Sequence, residues 1–241
     1  MKRADWENEA AHWIAWARAP RHDSYHDYGP PFFDGVVPAP GRRTLDLGCG
    51  EGRVTRELQR RGHSVIGIDT SPTLVRAAKD AGPGSFVLAD AARLPFPDAA
   101  FDLVVAYNVL MDLDDLDAGV GEVTRVLEPG GRSALCMLHP IAEAGRFASR
   151  EPDAPFTIEG NYFEERSYRE TFTRDGLTMT FSSTSRPLER YMRAFEHAGL
   201  VIEMLREPLA PQAAIEHDPG EARWRRLPNF LFLRLVKRVE A

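Results

Sequence analysis

Residues 44–52 constrain the fold more than any other stretch of the chain. The short apolar run Thr44-Leu45-Asp46-Leu47 leads straight into glycines at alternate positions, Gly48, Gly50 and Gly52, and a helical pattern opens at Arg53. A strand that turns through glycine into a helix is the opening unit of a parallel sheet with crossovers. Glycine belongs there because the backbone must turn tightly and pass close to a ligand, where a Cβ would intrude. Such a turn serves dinucleotides, phosphates and nucleosides alike, so by itself it leaves the ligand open. Two details narrow it. The spacing is GxGxG, with Cys49 and Glu51 between the glycines, and not the GxGxxG of the dinucleotide fingerprint. Asp46 precedes the turn, where a carboxylate is unwelcome beside a pyrophosphate and suits a cationic ligand.

The rest of the chain supports an α/β reading. Apolar runs over 43–47, 64–69, 85–89, 101–106 and 132–138 predict five strands. Helical patterns cover 53–61 and 116–127 between them, and another begins at Ser71-Pro72, a favourable cap and first helical residue. The alternation breaks over 141–186, where SYRETFT and LTMTFSS flank Arg174-Asp175-Gly176, a strong hairpin signal. It resumes with a helix over 187–197 and strands over 201–205 and 230–237. Upstream, a helical stretch over 6–18 gives way to Pro20, Pro30, Pro31, Pro38 and Pro40, which predict a broken backbone. The pattern predicts one doubly wound, mostly parallel domain with helices on both faces. It divides into an N-terminal helical cap over 1–41, a ligand-binding core over 42–139, a hairpin-containing insertion over 140–186, and a closing helix and two strands over 187–241.

Length and charge set the outer limits. The 241 residues suffice for one decorated α/β domain, and the formal charge of −6 disfavours binding to a polyphosphate backbone. The run Arg223-Trp224-Arg225-Arg226 is the local exception, read as an exposed charged turn. Cys49 and Cys136 are too few for a disulfide framework and lack metal-ligand spacing, so no metal is expected. With neither a leader-like N-terminus nor an apolar stretch of spanning length, the expected location is the cytoplasm, away from membranes.

Two further acids complete the pattern. Asp69 ends the second strand about twenty residues beyond the turn, the position from which a carboxylate accepts from ribose hydroxyls, with Thr70 beside it. Asp90 follows the third strand, placed to accept from an adenine amino group, while Ala91 offers apolar contact to the ring. One such Asp is ordinary turn or cap chemistry. Three at successive strand ends point to a nucleoside that carries positive charge.

In order, LDLGCGEG, IGIDTS, LADAARLPFPDAAFDLVVAYNVL and VLEPGG resemble the class I S-adenosylmethionine-dependent methyltransferases, in particular the branch acting on small molecules. The resemblance covers about residues 42–138. It implies a seven-stranded sheet whose last strand inserts antiparallel beside the fifth. It also implies S-adenosylmethionine as cofactor and S-adenosylhomocysteine as product. Asp46, Gly48, Cys49, Gly50 and Gly52 would hold the methionine end, Asp69 and Thr70 the ribose, and Asp90 and Ala91 the adenine. Tyr107 and Asn108, after the fourth strand, would border the methionine moiety and the reacting centre.

Methyl transfer from a sulfonium is an in-line displacement that needs positioning and exclusion of water. A base is required only where the acceptor must lose a proton, and His139, at the end of the fifth strand, is the candidate. The N-terminal segment has two readings. In one, it forms a lid with Arg18 on the cofactor carboxylate and Tyr25 and Tyr28 near substrate. In the other, its tryptophans simply pack the cap onto the sheet and its histidines are solvated. Met111 and the insertion aromatics Phe156, Tyr162, Phe163, Tyr168 and Phe172 are candidates for the substrate wall. The expected activity is methylation of oxygen or nitrogen on a small organic acceptor by a monomer or homodimer. RNA or protein methylation, nicotinamide-dependent oxidoreduction and non-catalytic cofactor binding are the competing readings.

Overall fold

A computed structural model describes residues 2–239. The central sheet has seven strands in the order β10-β11-β5-β4-β1-β2-β3. In chain order these are β1 (Thr44–Leu47), β2 (Val65–Asp69), β3 (Ser85–Leu88), β4 (Phe101–Tyr107), β5 (Leu127–Leu138), β10 (Leu200–Arg206) and β11 (Phe230–Lys237). Strands β1 to β5 pair in parallel, and β11 lies antiparallel to both β5 and β10, as the resemblance implies. β1 and β4 read as near-continuous apolar runs because helices cover both faces of the sheet.

Three helices form the cap: α1 (Lys2–Asn8), α2 (Ala10–Arg18) and α3 (Tyr25–Gly35). Four more pack on the core: α4 (Arg53–Arg60), α5 (Pro72–Asp80), α6 (Leu116–Val126) and α8 (Leu188–His197). Short α7 (Pro140–Glu143) opens the insertion, and short α9 (Gln212–His217) follows β10. Ser71 caps α5 by accepting from the Leu74 N–H, and Pro72 holds the first helical position.

The helix α3 corrects the reading of a broken backbone, since Pro30 and Pro31 lie inside it. A proline in a helix interior removes a hydrogen bond and costs about 3 kcal/mol. Here α3 buries Tyr28, Phe32 and Phe33 against β4, β5 and β11, where each large side chain contributes about 1.5–3 kcal/mol. Burial outweighs the two lost bonds. The stretch over 6–18 is also two helices and not one, divided at Glu9.

The insertion holds two small antiparallel pairs. β6 (Gly145–Phe147) pairs with β7 (Phe156–Ile158), and β8 (Arg166–Arg174) with β9 (Leu177–Ser185). The second hairpin turns at Asp175 and Gly176, both with positive φ (49° and 78°). That is the primed two-residue turn favoured by Asp-Gly. Among the described residues no helix is long and apolar enough to cross a membrane.

Candidate active site

The glycine turn is built by backbone bonds to the neighbouring strand. The Cys49 N–H donates to Ile68 O (2.7 Å), and the Gly50 N–H donates to Asp69 Oδ2 (2.9 Å). Gly48 and Gly50 have φ of 67° and 55°, where an L side chain is strained. A Cβ on Gly48 would lie 2.7 Å from Val109 Cγ2, and one on Gly50 would lie 3.2 Å from Trp13 Nε1. The cap therefore reaches over the turn, and only glycine leaves room between them.

A cavity of about 1080 Å³ opens along the C-terminal ends of the parallel strands. Its floor is Gly48 to Glu51 after β1, Asp69 and Thr70 after β2, Ala89 to Ala92 after β3, and Tyr107 to Val109 after β4. In an open α/β sheet this edge, outside the strand ends, is where ligands bind. Trp6, Trp13 and Trp16 close it from the cap, and the hairpin β8–β9 closes it from the insertion. Asp69 is fixed by the Gly50 and Ser71 N–H groups, and burial raises its pKa above the usual carboxylate range. Asp90 Oδ1 accepts from the Ala92 N–H at 2.9 Å.

Of the residues singled out in the sequence, Gly48, Cys49, Gly50, Asp69, Thr70, Asp90, Ala91, Tyr107, Asn108 and Met111 border this one cavity. Asn108 sits at φ 56°, a left-handed conformation that asparagine tolerates better than most residues. Tyr107 packs edge-on against Tyr25 and Phe32, and burial pushes its phenol well above the ordinary range. Its hydroxyl therefore stays protonated at neutral pH.

Seven others are placed elsewhere. Asp46 is 1% exposed, accepts from Thr55 Oγ1 at 2.5 Å, and is pushed up to about 7 by burial. It braces the strand to α4 and does not border the cavity. Gly52 packs against α5, where a Cβ would meet Ala78 Cβ at 3.0 Å. Arg18 donates to Glu51 Oε2 (3.0 Å) and Ala77 O (3.0 Å), so it clasps the cap to the turn and to α5. Tyr25 lies under the Arg53 guanidinium, 4.2 Å from its ring centroid, and Tyr28 is core packing against Phe230.

Tyr162 accepts from the Leu188 N–H at the start of α8 and lies off the cavity. His139 caps α7: its Nδ1 accepts from the Ile141 N–H (3.1 Å), which leaves Nε2–H to donate to Glu207 (3.1 Å). Burial lowers its proton affinity, and neither ring nitrogen has a free lone pair. The base expected at His139 is thus engaged in holding the strand end.

Several wall residues gave weaker sequence signals or were read otherwise. The tryptophans pack as the cap reading expected, Trp16 against His22 and Phe181, yet they also line the cavity. His22 is 3% exposed, not solvated. The insertion contributes Phe147, Tyr168 and Phe172 to the wall, while Phe163 is 76% exposed. The basic run folds inward: Trp224 packs edge-on against Phe147 at 5.0 Å, and Arg223 and Trp224 both border the cavity. The tryptophan inside a run of arginines was the available signal.

The strand order, the glycine turn and the acids at the strand ends define a nucleoside-binding protein of the doubly wound α/β class. Residues 45–135 match a family model described as a methyltransferase domain. An uncharacterised methyltransferase of Mycobacterium tuberculosis is 34% identical over 133 residues, 52% of this chain and 54% of that protein. A demethylmenaquinone methyltransferase of Beutenbergia cavernae is 39% identical over 100 residues, 41% of this chain and 42% of that protein. The structure of an S-adenosylmethionine-dependent methyltransferase from Mesorhizobium loti aligns with a TM-score of 0.72 at 26% identity, covering 86% of this chain and 96% of that one. Residues 45–135 are thus a methyltransferase domain, set in a fold that the chain shares with an S-adenosylmethionine-dependent methyltransferase. It spans about half the length of the curated relatives it matches.

Proposed function

We propose that this protein transfers the methyl group of S-adenosylmethionine to an oxygen or nitrogen of a small organic molecule. One observation carries the reading: the cavity of about 1080 Å³ runs unbroken from the glycine turn to the insertion and the C-terminal segment. That volume exceeds what a single drug-sized ligand fills, so there is room for an acceptor beside the cofactor.

The residues at the turn fit the cofactor. Gly48, Cys49 and Gly50 leave a cradle without side-chain bulk, and Asp69 is fixed in place to accept from the ribose hydroxyls. Asp90 and Ala91 suit adenine, and the acids and Trp13 suit a cationic centre. The cofactor supplies an activated methyl on a good leaving group.

The chain's own part is to bind, orient and exclude water. The three cap tryptophans shield the site, and Tyr107 and Asn108 border the space next to the turn. The Asn108 amide can orient an acceptor by hydrogen bonds without removing its proton, while the Tyr107 hydroxyl is buried. With His139 engaged elsewhere, a neutral amine or an already ionised oxygen is the acceptor this arrangement suits.

The test is methyl transfer from isotopically labelled S-adenosylmethionine to a panel of small amines, phenols and carboxylates, with RNA and protein arms. Label entering a small molecule is expected. Asp69→Ala should weaken S-adenosylhomocysteine binding by about 1–3 kcal/mol, the scale of lost charged hydrogen bonds. Label entering only RNA or protein overturns the acceptor class, and unchanged affinity of the variant in calorimetry overturns the role of Asp69.

A further inference from the structure

The turn after β3 carries Asp90, Ala91 and Ala92 to the cavity, and the chain then runs through Pro95 and Pro97 to β4 without forming a helix or strand. Main-chain N–H and C=O groups in such a stretch need partners from elsewhere. At the near end the partner is the sheet, where the Ala89 N–H donates to Asp69 O at 3.0 Å. Within the turn, the Arg93 N–H donates to Asp90 O (3.0 Å) and the Ala92 N–H to Asp90 Oδ1 (2.9 Å).

At the far end the partners are two side chains of α6. Glu122 Oε2 accepts from the Leu94 N–H (2.6 Å), and Arg125 Nη2 donates to Leu94 O (3.1 Å). Leu94 is thus gripped by both of its main-chain groups. The Arg125 fork also reaches Phe96 O and Asp98 Oδ1, each at 2.8 Å from Nη1. Glu122 and Arg125 lie one helical turn apart and bond each other at two points, 2.7 and 2.8 Å. Those bonds hold the Glu122 carboxyl below its usual range, so it stays an ionised acceptor at neutral pH.

Neither side chain borders the cavity, and both touch the turn through main chain alone. Ala91 and Leu94 are buried in the core, so apolar packing already keeps this stretch on the sheet. Apolar burial is non-directional, whereas hydrogen bonds at both groups of one residue fix the angle at which the turn is presented. Asp90 is an exposed side chain and takes its place from the turn, not from core packing.

We propose that Glu122 and Arg125 are positioning residues for the base of the cofactor, setting the Asp90–Arg93 turn from behind so that it reads the adenine amino group. This rests on the reading of Asp90 and Ala91 as the adenine side of an S-adenosylmethionine site. A binding constellation discriminates only while its groups stay within about 0.5 Å of the productive geometry. The pair supplies that constraint at the end of the turn that the sheet does not reach.

The test is calorimetry with two ligands that differ at the base: S-adenosylhomocysteine, and S-inosylhomocysteine, in which a carbonyl replaces the amino group. The parent is expected to prefer the adenine ligand at least about tenfold, because a carboxylate placed to accept from an amino group repels a carbonyl oxygen. Arg125→Gln, at a partly exposed helix position, should weaken the adenine ligand about tenfold and leave the inosine ligand nearly unchanged. Arg125→Lys keeps the charge but loses the fork, and should retain part of the preference. A pair that served only the fold would lower the melting temperature and leave the preference intact. A folded variant with the parent's preference therefore overturns the inference, and so does failure of both variants to fold. Equal binding of the two ligands by the parent removes the adenine reading of the turn, and the inference with it. Failure of the parent to bind S-adenosylhomocysteine at all overturns the functional reading of the cavity, a result separate from any variant.

Discussion

At position 46 a carboxyl lies 1% exposed, with the Thr55 hydroxyl as its neighbour and the buried Asp69 nearby. Burial, with the like charge of Asp69 adding to it, raises it from the usual 3.8 to about 7. Between those values the folded chain binds a proton at Asp46 that the unfolded chain has lost. Stability is therefore greater below about pH 4 than above about pH 7 as far as this group is concerned, and falls as pH rises through the window. Asp69 is shifted in the same direction and adds slope of the same sign. Asp46→Asn has no proton to lose. Urea denaturation of the variant from pH 4 to pH 8 should show a fall shallower than the parent's by about 1–3 kcal/mol. An identical slope would place the ionised form of Asp46 in the folded protein.

The elements divide by what specifies them. β1, β2, β4 and β11 were legible because an apolar run bounded by turn residues has one good use in a sheet covered on both faces. The hairpin β8–β9 was legible from two residues, Asp175 and Gly176, because few sequences accept positive φ twice in succession. The lining of the cavity was legible where backbone and strand ends set it, at Gly48, Gly50, Asp69 and Asp90. It was not legible where long side chains choose partners far along the chain. Arg18 reaches Glu51 and Ala77, and Arg223 turns inward onto Phe147. No local pattern encodes those choices.

Helix α3 is the sharpest case at this scale, since local propensity and tertiary burial disagree there. Pro31 is exposed, so its replacement disturbs no core contact. Pro31→Ala restores a helix N–H and removes a steric conflict, against a loss of about 0.4–1 kcal/mol from a freer unfolded chain. The variant should be more stable than the parent by about 1–2 kcal/mol, read as a higher urea midpoint at unchanged slope. A lower midpoint would mean that the turn at Pro30-Pro31 is held by the prolines themselves.

Over the whole molecule, the cavity is where the four parts of the chain meet. All four tryptophans border it: Trp6, Trp13 and Trp16 from the cap, and Trp224 from the 3-10 segment Pro219–Arg225. Indole emission responds to the polarity and charge of its surroundings, so both halves of the site carry a built-in reporter. The cap tryptophans lie beside the glycine turn, with Trp13 against Gly50, while Trp224 lies against Phe147 on the opposite wall. S-adenosylhomocysteine should therefore change the emission of the parent and of Trp224→Phe to a similar extent. A small acceptor from the labelling panel, added afterwards, should change the parent further and Trp224→Phe much less. Fluorescence titration of the two proteins separates the ends of the cavity without any turnover assay. If S-adenosylhomocysteine acted mainly through Trp224, the cofactor would lie at the Trp224–Phe147 wall, and the division of the cavity into a turn end and an acceptor end would have to be reversed.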